Sequence, residues 1–363
     1  MRIRTIFDFI RFSMSETDEQ FQTSEDIDWE QLYEFSVKQA LVGLMFHGVE
    51  KVANKQKPPK QLLMKWFLMT EQIKARNQRL NEVAVDLTKI FGSADIENCI
   101  LKGQGNATMY NNPYSRMPGD IDIWINRNKT QIKEGKLIVG ERKFPIVKQS
   151  YRHIELGLVD GVDVEVHLRP SFMNNPIHNY QLQHWFCEQG KKQFLNHKEL
   201  PGGVGMINMP TIQFNLIYQL SHINNHFFYE GIGLRQFVDY YYVLKNATSI
   251  DRSIITSQLK KLGLYKMAGA VMYIEREIFN LDDKFLIVPV NEKAGKMLYD
   301  EILLSGNFGH FDQRTANVKS RFGKNMMRFE RDLRLLRLFP SECMWEPIFR
   351  AYHFFWRLVK GNI

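Results

Sequence analysis

Cysteine is scarce in this chain. Cys99, Cys187 and Cys343 are its only three in 363 residues, spaced too widely for a disulfide framework or a zinc pattern. No run of eighteen or more apolar residues occurs, so no segment reads as a helix that crosses a bilayer. Charged low-complexity tracts and internal repeats are also missing, and 44% hydrophobic residues indicate an ordered globular protein. The opening MRIRTIFDFIRFSM resembles an export signal only briefly. Asp8 and Arg11 interrupt its apolar stretch, while Ile3, Ile6, Phe7 and Ile10 share one helical face. A reducing, cytoplasmic location is therefore expected.

The length suffices for two or three domains. The net charge of +8 is concentrated late: from Phe311 to Ile363 eleven Lys/Arg face five Asp/Glu. In that region Arg328, Arg331, Arg334 and Arg337 alternate with Phe329, Leu333 and Leu336, and Phe354-Phe355-Trp356-Arg357 follows. Such helices suit an anionic membrane surface or a nucleic acid. A helix packed on its own domain, with a solvated basic face, is the simpler reading and the one preferred.

Three regions follow from periodicity. Residues 1–95 read as helical, with an amphipathic stretch from Asp28-Trp29-Glu30 through Val52. A break at Lys57-Pro58-Pro59-Lys60 precedes a long helix from Gln61 to Phe91 that holds no Gly or Pro. Residues 96–210 switch to strand periodicity. They comprise a half-buried strand Asp120–Ile125, a short helix over Lys129–Val139, and strands Ile146–Val159 and Val162–Leu168 joined by Asp160-Gly161, a hairpin signal. Residues 170–210 read as irregular. From Thr211 helical spacing returns, over Thr211–Tyr229, Leu234–Leu244, Ser253–Leu262, Lys266–Phe279, Glu292–Leu304, Lys324–Phe339 and Pro347–Val359.

The chemistry lies between Cys99 and Leu168. Apolar Cys99-Ile100-Leu101 leads into Lys102-Gly103-Gln104-Gly105, and Asp120 and Asp122 later fall on one face of a strand, about 7 Å apart along the chain. Two like charges so placed call for a cation, and a divalent metal meets that need. On Val162–Leu168, the residues Asp163, Glu165 and His167 share a face opposite three valines, which supplies a third carboxylate on an antiparallel neighbour. Phosphoryl and nucleotidyl transfer use this combination, because two metal ions held by shared carboxylates stabilise both the attacking and the leaving oxygen. A glycine turn lets backbone N–H groups approach a triphosphate.

Leu101-Lys102-Gly103, then a tyrosine, Arg116, Asp120-Ile121-Asp122 and an acid two residues before His167-Leu168-Arg169 resemble the uncharacterised nucleotidyltransferase family. That family belongs to the DNA polymerase beta-like nucleotidyltransferase superfamily, and the resemblance covers roughly residues 30–250. It implies an α+β fold, with a small mixed nucleotidyltransferase-type sheet flanked by helical N- and C-terminal regions. The domains would then be 1–95, a catalytic core over 96–210, and a helical 211–363 with basic tail helices. The implied activity moves an NMP from an NTP to a hydroxyl or phosphate acceptor with Mg²⁺ or Mn²⁺, two ions being expected. Asp120 and Asp122 match the metal-binding pair, Glu165 the third carboxylate with Asp163 as its alternative, and Gly103 the turn glycine. Gln104 stands where most superfamily members carry Ser, and sixteen residues separate Gly103 from Asp120.

Lys102 and Arg116 complete the nucleotide-binding candidates with Gly103 and Gln104; Lys102 either reaches a phosphate as a point charge or pairs with an acid. Arg116 suits phosphate by its forked donors, against a loop salt bridge as the alternative. His167 is expected to bond a neighbouring carboxylate. His222, His226 and Glu230 have zinc-like helical spacing but are read as structural, Arg235 and Asp239 as an intrahelical ion pair in preference to a contact from this domain to the nucleotide, and Cys99 as core. Asn-x-Thr at Asn106, Asn128 and Asn246 has no meaning in a cytoplasmic protein. Two other functions share these features: a nucleotide- or nucleic-acid-binding module of the same fold without turnover, and a peripheral membrane or scaffold protein acting through the basic C-terminal helices.

Overall fold

Freedom from glycine and proline between Gln61 and Phe91 has a direct structural result. In a computed structural model, which describes residues 1–17, 20–24, 26–312, 314 and 320–359, the N-terminal region forms α1 (Ile3–Met14), α2 (Trp29–Lys38), α3 (Val42–Lys51) and α4 (Lys60–Ser93). At 34 residues α4 is about 50 Å long. Its buried positions Leu62, Trp66, Ile73, Asn77, Leu80, Ala84, Leu87 and Phe91 are spaced three, four or seven residues apart and so form one stripe. The first half of the stripe packs on α2 and α3, where Trp66 donates a 2.9 Å hydrogen bond to the Val42 carbonyl. The stretch expected to be continuous from Asp28 to Val52 is divided in two. Ala40, with φ of 56°, lies in the left-handed region, and this separates α2 from α3.

The second half of α4 backs the central sheet. Its strands are β1 (Asn98–Leu101), β2 (Ile121–Ile125), β6 (Lys148–Gln149), β7 (His153–Val159) and β8 (Val162–His167), in the order β1-β2-β8-β7-β6. Between β2 and β6 lies a separate antiparallel meander of β3 (Gln131–Lys133), β4 (Lys136–Val139) and β5 (Arg142–Pro145). The short helix expected over Lys129–Val139 is thus a hairpin. Glu134 and Gly135 both have positive φ, the conformation of a two-residue type I′ turn, and Leu137 and Val139 alternate into the core. Asp160 and Gly161 make the same kind of turn between β7 and β8, as their sequence predicts.

Two further expectations change. β8 runs antiparallel to β7 but parallel to β2, so the third carboxylate lies on a parallel neighbour of the Asp120–Asp122 strand. β2 is buried on both faces rather than half-buried. Ile121, Ile123 and Ile125 join Val162, Val164 and Val166 over α4, and Trp124, on the other face, stacks on Phe214.

Residues 170–210, read as irregular, contain α6 (Pro176–Phe194) and a hairpin of β9 (His197–Glu199) and β10 (Met206–Asn208), while Gly103–Ala107 forms the short α5. Asn175 caps α6 by accepting from the Ile177 and His178 N–H groups, with Pro176 at the first helical position. The C-terminal helices are α7 (Ile212–Tyr229), α8 (Leu234–Asn246), α9 (Arg252–Lys261), α10 (Tyr265–Phe279), α11 (Glu292–Ser305), α12 (Arg321–Leu336) and α13 (Pro340–Val359). They share one core with α1 to α3, and Arg11 of α1 donates to the Glu277 and Ile278 carbonyls at the end of α10. On the basic face of α12, Arg331 pairs with Asp332 and Arg334 with Glu301.

Replacing Ile123 by Ala, at a site with no solvent exposure in the centre of the sheet, is expected to destabilise the fold by about 3 kcal/mol in urea denaturation. Leu158→Ala, on an exposed side chain, is expected to change stability by less than about 0.5 kcal/mol.

Candidate active site

β1 ends in a sharp bend. Lys102 has φ 52° and ψ −134°, outside the ordinary regions for a side-chain-bearing residue, and Gly103 follows at φ 35° before α5 begins. A Cβ on Gly103 would meet nothing closer than the Asp120 carbonyl oxygen, at 3.9 Å, so its backbone conformation rather than lack of space favours glycine here. Backbone strain of this kind costs about 1–3 kcal/mol and persists only where surrounding structure holds it. Here the bend carries the Lys102 ammonium over β2, where Nζ lies 2.9 Å from Asp122 Oδ2.

The parallel register of β2 and β8 sets Asp122 directly beside Glu165. Asp120, Asp122 and Glu165 each bring a carboxylate oxygen to within 4.8 Å of the others. Asp122 is almost fully buried. Burial opposes its charge, but Lys102 and His167, whose Nε2 is 2.6 Å from Oδ1, outweigh that cost and hold its carboxyl well below the usual range. Asp120 lies at the solvent-facing mouth. The nearby Asp122 charge, then burial, pushes its pKa up to about 6. Glu165 is opposed by burial too, yet the hydrogen bond from His167 lowers it to about 2. Burial disfavours protonated His167, but Asp122 prevails and its pKa is raised. Next to it His153 is held neutral, at about 4, by burial and by His167.

The expected site residues do not all converge. Lys102, Gly103, Arg116, Asp120, Asp122 and Glu165 line one small cavity of about 130 Å³. Asp163 is exposed and falls outside the carboxylate cluster, which contains Glu165. Gln104 is not among the residues lining the cavity: its amide donates to Asn81 on α4 and so anchors the bend. Arg116 reaches the cavity wall, but its fork grips Asp239 through two 2.8 Å bonds, the salt-bridge alternative. Asp239 also accepts from the Tyr110 hydroxyl at 2.6 Å. The intrahelical Arg235–Asp239 pair is thus replaced by a pair from Arg116. Arg235 donates instead to the Met117 carbonyl, and burial with Arg116 nearby lowers its pKa to about 10.

Several wall residues were not anticipated from the sequence. Arg152 lines the cavity beside Glu165, with Nη2 at 3.9 Å from the carboxylate, and His153 Nδ1 is 3.1 Å from the same group. Asn106 of α5 accepts from Gln219 of α7 while its own buried amide nitrogen has no hydrogen-bond partner among the described residues. His222 and His226 are buried, as a structural role requires, but both also face the cavity. They contact each other at 3.0 Å, and His226 reaches Glu230 at 2.9 Å.

Three hard oxygen donors, crowded enough to lift one carboxyl toward neutral pH, fit a divalent ion such as Mg²⁺ or Mn²⁺. Glu165 also forms a second close group with His153 and His167, but His167 Nε2 is engaged by Asp122, which favours the all-carboxylate set.

Lys102→Met leaves Asp122 buried with half of its matching charge. It is expected to cost about 3 kcal/mol in urea denaturation, most of which Asp122→Asn in the same chain should restore. Asp120→Asn should act in the opposite direction without metal, adding about 1 kcal/mol after allowance for solvent screening. Because the folded-state pKa lies above the unfolded one, the wild-type penalty develops between about pH 4 and 6. The gain should therefore be full above about pH 6 and absent below about pH 4, as read from paired denaturation curves.

Neither a curated protein nor a solved structure was found to match the chain. The family model described as "Uncharacterised nucleotidyltransferase" matches residues 25–280, from α2 through the carboxylate cluster into the helical region. The chain belongs to the uncharacterised nucleotidyltransferase family.

Proposed function

We propose that the protein is a metal-dependent nucleotidyltransferase that moves an NMP from an NTP to a hydroxyl or phosphate acceptor and releases pyrophosphate. The observation that carries this reading is the meeting of Asp120, Asp122 and Glu165 within 4.8 Å beside the Lys102–Gly103 bend. Those three carboxylates would hold Mg²⁺ or Mn²⁺, two ions in the full site, which when bound would offset charge on the attacking and leaving oxygens. Gly103 lets the backbone approach the triphosphate. Lys102 supplies a point charge next to Asp122, and Arg235 a guanidinium on the cavity wall. Arg116 acts through Asp239, fixing the wall rather than gripping substrate. Glu165 orients the acceptor oxygen and draws its proton. The inner cavity is small and highly charged, in keeping with phosphate rather than a base. Free Cys99, Cys187 and Cys343, two of them buried, suit a reducing compartment such as the cytoplasm.

One observation favours a binding module: Lys102 already neutralises Asp122, so a nucleotide could be held without turnover. A panel of four α-labelled NTPs with Mg²⁺ or Mn²⁺ separates the two. Transfer predicts label incorporation or pyrophosphate release by the wild type, reduced at least 1000-fold by Asp122→Ala. Nucleotide binding with no product in any condition would replace the transferase by the module.

A further inference from the structure

Beyond Glu165 the small cavity opens into a much larger chamber of about 1320 Å³. Arg152, Glu165, His226 and Glu230 belong to the walls of both. The outer walls come from β6 and β7, from α7, and from the C-terminal pair α12 and α13.

α13 is arranged in reverse. Its exposed side carries Met344, Ile348, Tyr352, Phe355 and Leu358, while Glu342 and Glu346 are buried and Arg350 and Arg357 face the chamber. Turning charges inward is unfavourable unless they meet opposite charge. The carboxylates on the walls are already engaged: Glu155 by Lys148 at 2.9 Å, Glu230 by His226, and Glu165 by His167. Arg350 is held by Glu346 at 2.7 Å. Arg328, half-buried on α12, has no ion pair or hydrogen bond among the described residues, and burial followed by the Arg350 charge lowers its pKa. Arg357 Nε is buried with no hydrogen-bond partner there. Among the described residues, then, Arg328 has near it only the carboxylate of Glu346, which Arg350 already holds, and Arg357 has no anionic partner. Beside them Phe329, Phe354 and Phe355 present apolar rings.

Resting on the transferase reading above, we infer that this chamber is the acceptor site and that the acceptor is a small phosphomonoester carrying a free hydroxyl, its phosphate held by Arg328 and Arg357. The hydroxyl oxygen attacks the α-phosphorus of the NTP, the bond from that phosphorus to the bridging oxygen breaks, and pyrophosphate leaves. The hydroxyl proton passes by way of Glu165 to solvent. Forked donors suit a phosphate better than a point charge does. The volume exceeds that of ordinary small-molecule pockets, leaving room for the rest of the acceptor against the phenylalanine rings.

Isothermal titration of the full chain with Mg²⁺ and a non-hydrolysable NTP analogue tests this. The probes are glycerol 3-phosphate, ribose 5-phosphate and glucose 1-phosphate, each against its phosphate-free parent. At least one phosphomonoester should bind ten times more tightly than its parent, and Arg328→Gln and Arg357→Gln should each weaken it at least tenfold. Affinity for the analogue should stay within twofold in both variants, which also shows that they fold. Asp122→Ala should lose the analogue and keep the phosphomonoester, so failure of the nucleotide reading is seen separately. The inference is overturned if no phosphomonoester exceeds its parent, or if both variants retain full affinity. It is equally overturned if a 5′-phosphorylated RNA 12-mer or phosphatidylglycerol vesicles, and none of the three small probes, show the arginine dependence.

Discussion

A buried carboxylate must be matched in charge, and Asp122 imposes that requirement on everything near it. The group sits in the middle of the sheet, almost out of contact with water, where an unmatched negative charge would cost several kcal/mol. Lys102 reaches it because the chain after β1 adopts a strained bend, and His167 reaches it because β8 lies parallel alongside β2. The bend is in turn held by α4, whose Asn81 accepts from Gln104 and whose Asn77 donates to the Arg116 carbonyl at 2.8 Å. A long helix free of glycine from Gln61 to Phe91 thus supports the carboxylate cluster indirectly. It fixes the two segments between which the acidic pair must sit.

The same requirement explains which parts of the site could be read from the sequence. Acid-apolar-acid alternation on β2 and β8 is a local pattern, so Asp120, Asp122 and Glu165 were visible, and the Asp-Gly turn announced the hairpin. Strand direction within the sheet is not local. Nothing in Val162–His167 reveals that its other neighbour runs parallel. The roles of Arg152 and His153 were hidden for a different reason. Between Val159 and Gly157 the β7–β8 register is regular, and Leu156 and Ile154 would then face Glu165 and His167. A bulge between Glu155 and Gly157, where φ is 71°, shifts the pairing by one residue. Glu155 and His153 come opposite those residues instead, and a polar face is produced from what reads as an apolar one.

Arg116 and Gln104 illustrate the converse. Both residue types suit phosphate and both stand at motif positions, yet each is engaged by a partner far along the chain or on another element: Asp239 in one case, Asn81 in the other. A motif specifies residue type and spacing, and the partner that occupies a side chain is decided only by packing. The helical regions were more legible, since stripes such as that of α4 are buried whatever the partner. The exceptions arose where single backbone positions intervene, Ala40 between α2 and α3 and Glu134-Gly135 in the meander. The Asn175-Pro176 start of α6 is a local capping signal, legible without any knowledge of packing.

The chain order of the sheet has a consequence for how the protein comes to exist. β2 and β8 are sequence-distant neighbours, separated by the whole meander and by β6 and β7, and parallel pairing across such a gap forms slowly because a large loop must close first. During synthesis Asp120 and Asp122 leave the ribosome well before Glu165 and His167. A half-made chain therefore holds two acids and no assembled centre. The cluster of Asp120, Asp122 and Glu165 is completed only when the sheet has closed, and the topology itself acts as the timer.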